Sequence, residues 1–270
     1  MIYSMKFEVE PEHDVLIPPF TSKLGRQILV QMSKNYSEIV EDSRPYKPIR
    51  VSVIKDETGK LLFSTGNKKI VLKGKGKYYF TFSFMNAAFL EEILQNSQKV
   101  LTFWQTNFKV ELTDVKITEN VEIEDAKLYK IIFLTPTLLQ PLRPSIKRKK
   151  NRFILFPYPP YLISSIVRHW NFNNDEKIYN VLGSKALYYF REVDYRLRPI
   201  TTYYGNKPVR GFTGWTIYQL SARKNSKLRE NIRKLLGYAN YLGVGKSRAI
   251  GFGEVKVIPI IENPPNKKIL

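Results

Sequence analysis

The chain has 270 residues, 43% of them hydrophobic and 13% aromatic, enough for a buried core and for two domains of ordinary size. It has no Cys and two His, which excludes a disulfide framework and a thiolate metal site and leaves little material for a His-built one. No apolar run reaches the roughly 18 residues of a membrane span, and Met1 to Lys6 lacks the basic-then-apolar form of a signal peptide, so the expected location is cytoplasmic, away from any membrane.

The net charge of +20 is carried by one half. Residues 1–125 hold 17 Lys/Arg against 17 Asp/Glu, whereas residues 126–270 hold 27 against 7. A surplus confined to one half points to a polyanionic partner met there.

In chain order, Ile2 to Val9 reads as a strand and Ile17-Pro18-Pro19 as a turn. Thr21 or Ser22 then caps a helix expected to run to Tyr36, with Leu24, Ile28, Met32 and Tyr36 on its inner face and Lys23 and Arg26 on its outer one. Strands are expected at Ile49 to Ile54, Leu61 to Ser64, Lys69 to Leu72 and Tyr78 to Phe84. A helix from Asn86 to Gln95 and a strand from Phe108 to Ile117 follow. In the second half, strands are expected at Tyr129 to Leu134, Val193 to Leu197, Gly211 to Leu220 and Glu254 to Ile258. Helices are expected at Pro159 to Trp170, Glu176 to Phe190 and Ser226 to Leu242. The β-α-β-β-α-β order predicts an α+β chain of two tandem ferredoxin-like domains, 1–125 and 126–270.

The chemistry-bearing segment is Gly243-Val-Gly-Lys-Ser-Arg-Ala-Ile-Gly-Phe-Gly253. Four glycines in a basic loop suit close approach to a ligand and an anion nest. A Walker loop is excluded, because Asn240 stands where its first glycine is required. A dinucleotide fingerprint is excluded as well, because a helix precedes the glycines and a strand follows them. RNA backbone is the expected ligand of Gly243, Gly245, Lys246, Ser247, Arg248, Gly251 and Gly253. Lys147, Arg148, Lys149, Lys150 and Arg152 form a second basic run suited to phosphate. Tyr203 and Tyr204, with Phe212 to Trp215, interleave with Lys207 and Arg210 in a pattern suited to single-stranded RNA.

The glycine pattern, the opening Leu16-Ile-Pro-Pro with Ser22-Lys23, and Arg210-Gly-Phe-Thr-Gly-Trp215 together resemble the CRISPR-associated endoribonucleases of the RAMP superfamily that process precursor crRNA. The resemblance spans both halves. It implies two ferredoxin-like domains and cleavage of CRISPR repeat RNA without metal or cofactor. In that reaction the 2′-OH attacks the adjacent phosphate, leaving 2′,3′-cyclic phosphate and 5′-OH ends. It also implies effector-complex subunits and a second copy of the chain as further partners. Many members use a His from the first helix or the loop after it, whereas no His lies between Asp14 and Arg168 here. Lys23, Arg26, Lys47 and Arg210 are the candidate catalytic residues, with Tyr36 and Tyr46 behind them. Clustered cations depress one another's pKa, which lets a lysine such as Lys23 act as acid or base. The alternative is a non-catalytic RAMP subunit that holds crRNA.

Overall fold

The computed structural model describes residues 1–141 and 152–261. Lys147, Arg148, Lys149 and Lys150 lie outside the described residues.

The first half comprises β1 (Ile2–Pro11), β2 (Val15–Ile17), α1 (Ser22–Met32), α2 (Lys34–Glu41), β3 (Ile49–Val51), β4 (Ile70–Leu72), β5 (Tyr78–Phe84), α3 (Ala88–Gln95), β6 (Gln98–Phe103) and β7 (Thr106–Thr118). Five strands form an antiparallel sheet in the order β3-β5-β1-β7-β6, and β2 pairs with β4 beside it. Alternation in β1 and β5 puts Tyr3, Met5 and Phe7 opposite Phe84, Phe82 and Phe80 on one buried face. There Phe7 stacks on Phe80 at 4.8 Å. Helix α1 lays Leu24, Ile28 and Met32 on that face. Its Gly25 is required by the close approach, since a Cβ there would stand 2.9 Å from the Phe80 ring.

Three local readings change. The helix expected to reach Tyr36 breaks at Ser33, which is extended (φ −143°, ψ 121°) and accepts the Tyr36 N–H at 3.0 Å. Its hydroxyl caps a new helix instead of tolerating a helix interior. Leu61 to Ser64 forms isolated bridges to Lys55 and Phe20 rather than a strand. The hairpin β6–β7 was hidden, because its turn places Trp104 and Gln105 at φ 49° and 63° without the Gly or Asn that normally marks such a turn.

The second half comprises β8 (Leu128–Thr137), α4 (Pro159–Asn173), α5 (Ser184–Tyr189), β9 (Phe190–Tyr204), β10 (Lys207–Leu220), α6 (Lys227–Leu242) and β11 (Val255–Ile260). The sheet order β11-β8-β10-β9, all antiparallel, repeats the ferredoxin-like order of the first half. The chain is therefore α+β, with two tandem ferredoxin-like units. Tyr129, Ile131 and Phe133 of β8 pack with Leu162 and Ile166 of α4 and Ile232, Leu235 and Leu236 of α6. The helix expected over Glu176 to Phe190 shrinks to the six residues of α5, and the short strand after it grows into the 15-residue β9.

The β9–β10 hairpin reaches back to the first half. Gly66 N–H donates to Thr201 O at 2.8 Å, and Thr202 Oγ1 donates to Ser64 O at 2.8 Å. Between the halves lies a small apolar seam of Phe20, Val53, Leu138 and Phe252, in which Phe20 stacks on Phe252 at 4.2 Å. This seam positions the site.

Candidate nucleic-acid interface

The glycine segment closes α6 and turns into β11. Gly243, Gly245, Gly251 and Gly253 all have positive φ, from 69° to 93°. A Cβ on Gly253 would sit 1.9 Å from the Val244 carbonyl oxygen, and one on Gly251 would sit 2.8 Å from the Ser22 Cβ. Only glycine fits such a loop. The N–H groups of its glycines are committed to protein: Gly243 to Ala239 O, Gly245 to Ser165 Oγ, Gly251 to Arg248 O and Gly253 to Pro136 O. The N–H groups of Gly243, Gly245, Gly251 and Gly253 therefore face protein rather than an anion. Gly243 and Gly251 pack closely on Arg50 and Ser22 of the first half, and Gly243, Gly251 and Gly253 are buried. The physical reason is that the seam needs close backbone approach and satisfied donors. Arg248 is buried as well, donating from Nε to Gly245 O at 2.9 Å and from Nη2 to Ser165 O at 2.7 Å. Lys246 and Ser247 remain on the surface.

The clamp carries its own ion cluster. Buried Glu254 lies 3.2 Å from Arg50 and 3.1 Å from Lys55, both on the first half. Burial pushes the Glu254 carboxyl up, but Arg50 and Lys55 outweigh it and hold the pKa below its ordinary value.

Around this clamp run three adjoining depressions. The first is lined by Lys23, Arg26, Gln27 and Tyr204. Tyr204 also lines the second, of about 630 Å³, which holds Arg152, Lys207, Arg210 and Ser247. Ser247 in turn borders the third, of about 340 Å³, which holds Arg44, Tyr46, Lys47, Lys246 and Arg248. Lys23, Arg26, Arg152, Lys207, Arg210, Arg44, Lys47, Lys246 and Arg248 thus line one continuous track, and among the described residues no Asp or Glu lines any of the three. A cleft of one sign focuses its field on a polyanion.

The four candidate catalytic residues come from distant places in the sequence to this track. Helix periodicity turns Lys23 and Arg26 outward from α1. The Arg26 guanidinium donates to the Tyr204 hydroxyl and sits 5.9 Å from the centre of its ring, joining α1 to the hairpin tip. Arg210 is exposed on β10, a few residues past that tip. Lys47 donates from Nζ to Val40 O at 2.7 Å. Its partial burial lowers its pKa, Asp42 opposes this, and Arg26 and Arg44 push it down further. Tyr36 is fully buried against Phe82, and burial pushes its phenol up, so this candidate lies out of reach of RNA.

His169 is buried beside the third depression. Nε2–H donates to the Lys47 carbonyl at 3.0 Å, and Tyr238 Oη donates to Nδ1 at 2.7 Å. Burial and then Arg248 hold its pKa well below the ordinary value. Both ring nitrogens of this neutral imidazole are occupied. Arg44 and Gln140 escaped sequence reading altogether, since nothing in their neighbours signals that they border a cleft. Among the described residues no three His, Cys, Asp or Glu side chains gather as metal ligands. Among the same residues no helix is long and apolar enough to cross a membrane.

Comparison with known proteins bears on this arrangement. The Cas6 N-terminal domain model matches residues 3–118, and the model of CRISPR-associated endoribonuclease Cas6 matches residues 131–255. The chain belongs to the Cas6 family. Two curated relatives, CRISPR-associated endoribonucleases Cas6 1 and Cas6 2 of Saccharolobus solfataricus, are 26% and 24% identical, each covering 95% of this chain and 96% of the relative. Among solved structures, a Cas6 product complex aligns with a TM-score of 0.71 at 18% identity, covering 96% of this chain and 100% of that one. A RAMP protein described as binding different RNA substrates aligns at 0.62 with 16% identity, covering 95% and 99%. At that identity the structural likeness establishes the fold. As a Cas6 family member, the protein is a CRISPR repeat endoribonuclease.

Proposed function

We propose that this Cas6 protein binds CRISPR repeat RNA along the basic track and cleaves it without metal or cofactor by attack of a 2′-OH on the adjacent phosphate. The observation that carries this reading is the basic track, lined by no Asp or Glu among the described residues, which holds one half-buried lysine whose pKa is lowered by burial and by Arg26 and Arg44 against the pull of Asp42. Neutral Lys47 takes the 2′-OH proton. The 2′-oxygen forms a bond to phosphorus, the bond from phosphorus to the 5′-oxygen breaks, and that oxygen leaves as a hydroxyl, taking its proton from water. The products carry 2′,3′-cyclic phosphate and 5′-OH ends. Arg26, Arg210 and Lys23 stabilise the charge gathering on the phosphoryl oxygens. His169 does not shuttle the proton, because both of its nitrogens are held.

Single substitutions test the assignment. Lys47→Ala is expected to slow single-turnover cleavage by about 10²-fold or more, the usual worth of a positioned acid or base. Arg26→Ala and Arg210→Ala are expected to slow it while repeat binding weakens less than the rate falls. Unchanged cleavage in all three variants overturns the site. Tight binding with no cleavage by the parent protein would instead identify a crRNA-holding subunit.

A further inference from the structure

The third depression holds more than the proposed chemistry uses. Its wall contains Arg248, only 4% exposed, with Nε and Nη2 bonded to carbonyls and Nη1 without a hydrogen-bond acceptor among the described residues. None of the carboxylates among the described residues forms an ion pair with Arg248. A buried guanidinium without counter-charge is costly. Burial pulls its pKa down only to about 10, so it stays charged at neutral pH. Gln140 supplies a second buried donor, Nε2, that also lacks an acceptor among the described residues.

At the rim stands Tyr46, 38% exposed and held at φ 56°, a left-handed conformation that a tyrosine rarely adopts. Helix α4 maintains it. Asn173 Nδ2 donates to Tyr46 O at 2.8 Å, His169 Nε2–H donates to the next carbonyl, and the ring leans on Phe172 at 5.7 Å. Strain of this kind persists where the surroundings over-determine it, and it gathers at ligand sites.

We propose that this depression is a subsite for one unpaired nucleotide of the repeat, with its base stacked on Tyr46 and its phosphate drawn to the Arg248 and Gln140 wall. The volume of about 340 Å³ suits one nucleotide rather than a duplex. The phosphate supplies the counter-charge that the protein withholds from Arg248, and the held aromatic ring offers any base a π-face. The proposal rests on the RNA reading for the identity of the polymer, but not on where the cut falls.

The test is equilibrium binding of 2′-O-methylated repeat RNAs, uncleavable by the proposed chemistry, each carrying a single abasic nucleotide. Tyr46→Leu is expected to weaken binding of the intact repeat on the order of tenfold, the worth of one stacked base. At one position only, removing the base should weaken wild-type binding to the same degree and leave Tyr46→Leu unaffected. Tyr46→Phe should bind as wild type, because stacking needs the ring and not the hydroxyl. A neutral methylphosphonate beside the same nucleotide should cost more than one elsewhere. Equal sensitivity of wild type and Tyr46→Leu to every abasic position overturns the subsite while the cleavage reading stands. Failure of the wild-type protein to bind the repeat overturns both.

Discussion

Two groups of cations lie on the seam between the halves, six residues apart in the closing segment, and they are treated in opposite ways. At Glu254, a buried carboxylate meets Arg50 and Lys55 and the charges are closed within the protein. At Arg248, an equally buried guanidinium shares a cleft with Lys47 and with Arg44, which pairs with Asp42, and no Asp or Glu among the described residues lines that cleft. The first arrangement holds the halves together, and its neutrality is what makes burial tolerable. The second is built at a cost in stability, and an excess of charge at a cleft has use only for an anion from outside. Net charge alone does not separate a structural cation from a binding one. For Arg248 the absence of a carboxylate partner among the described residues does.

The largest effect that would break this contrast comes from the closed cluster. Glu254→Ala strands Arg50 and Lys55 without their partner and is expected to cost about 3–5 kcal/mol in chemical denaturation. Acid should do the same by titration. The folded pKa of Glu254 is depressed, so its contribution is full above the ordinary value of 4.5 and fades as pH falls below it. Melting curves from pH 7 to pH 3 should show that fall, and Glu254→Gln should flatten it. An unchanged melting curve in the Glu254 variants would remove the distinction between the clusters.

In the open cluster the expected change is a shift in a pH profile. Lys47 must be neutral to accept a proton, so cleavage should rise with pH and level off at an inflection below 10.5, the ordinary value for lysine. The levelling should vanish in Lys47→Ala. An inflection that survives in that variant belongs to another group.

Smallest is the change in salt response. Repeat binding should weaken linearly with log salt, and Arg210→Ala should reduce that slope by about 0.7, the value for one phosphate contact on a single strand. Neutralising Lys6, which instead lies over the Tyr79 ring away from the track, should leave the slope as it was.

The sequence made the fold legible because its patterns are local and strong. The alternation Tyr78, Phe80, Phe82, Phe84 and the stripe Leu24, Ile28, Met32 needed no tertiary information. The same helical period put Lys23 and Arg26 on the outer face, where the structure finds them. Legibility ended where long-range contact decides. Ser33 breaks a helix by capping the next one, and Trp104-Gln105 turns without turn residues. The glycine segment stood out for its composition, yet whether its N–H groups face a ligand or the Pro136 and Leu138 carbonyls depends on a strand more than a hundred residues earlier. Lys47 and Arg210 could be named from the resemblance. The burial that lowers the pKa of Lys47, and the hairpin that carries Arg210 across the seam, belong only to the folded chain.

The central claim is that the RNA's own 2′-OH is the nucleophile and that cations of the track serve it. The most direct measurement is cleavage of labelled repeat RNA in EDTA, with and without a single 2′-deoxy substitution at the nucleotide before the cut. The account predicts undiminished cleavage of the all-ribose substrate to a 5′-OH fragment, and none at that position in the deoxy substrate. Cleavage of the deoxy substrate at the same bond, or loss of all cleavage in EDTA, would contradict it.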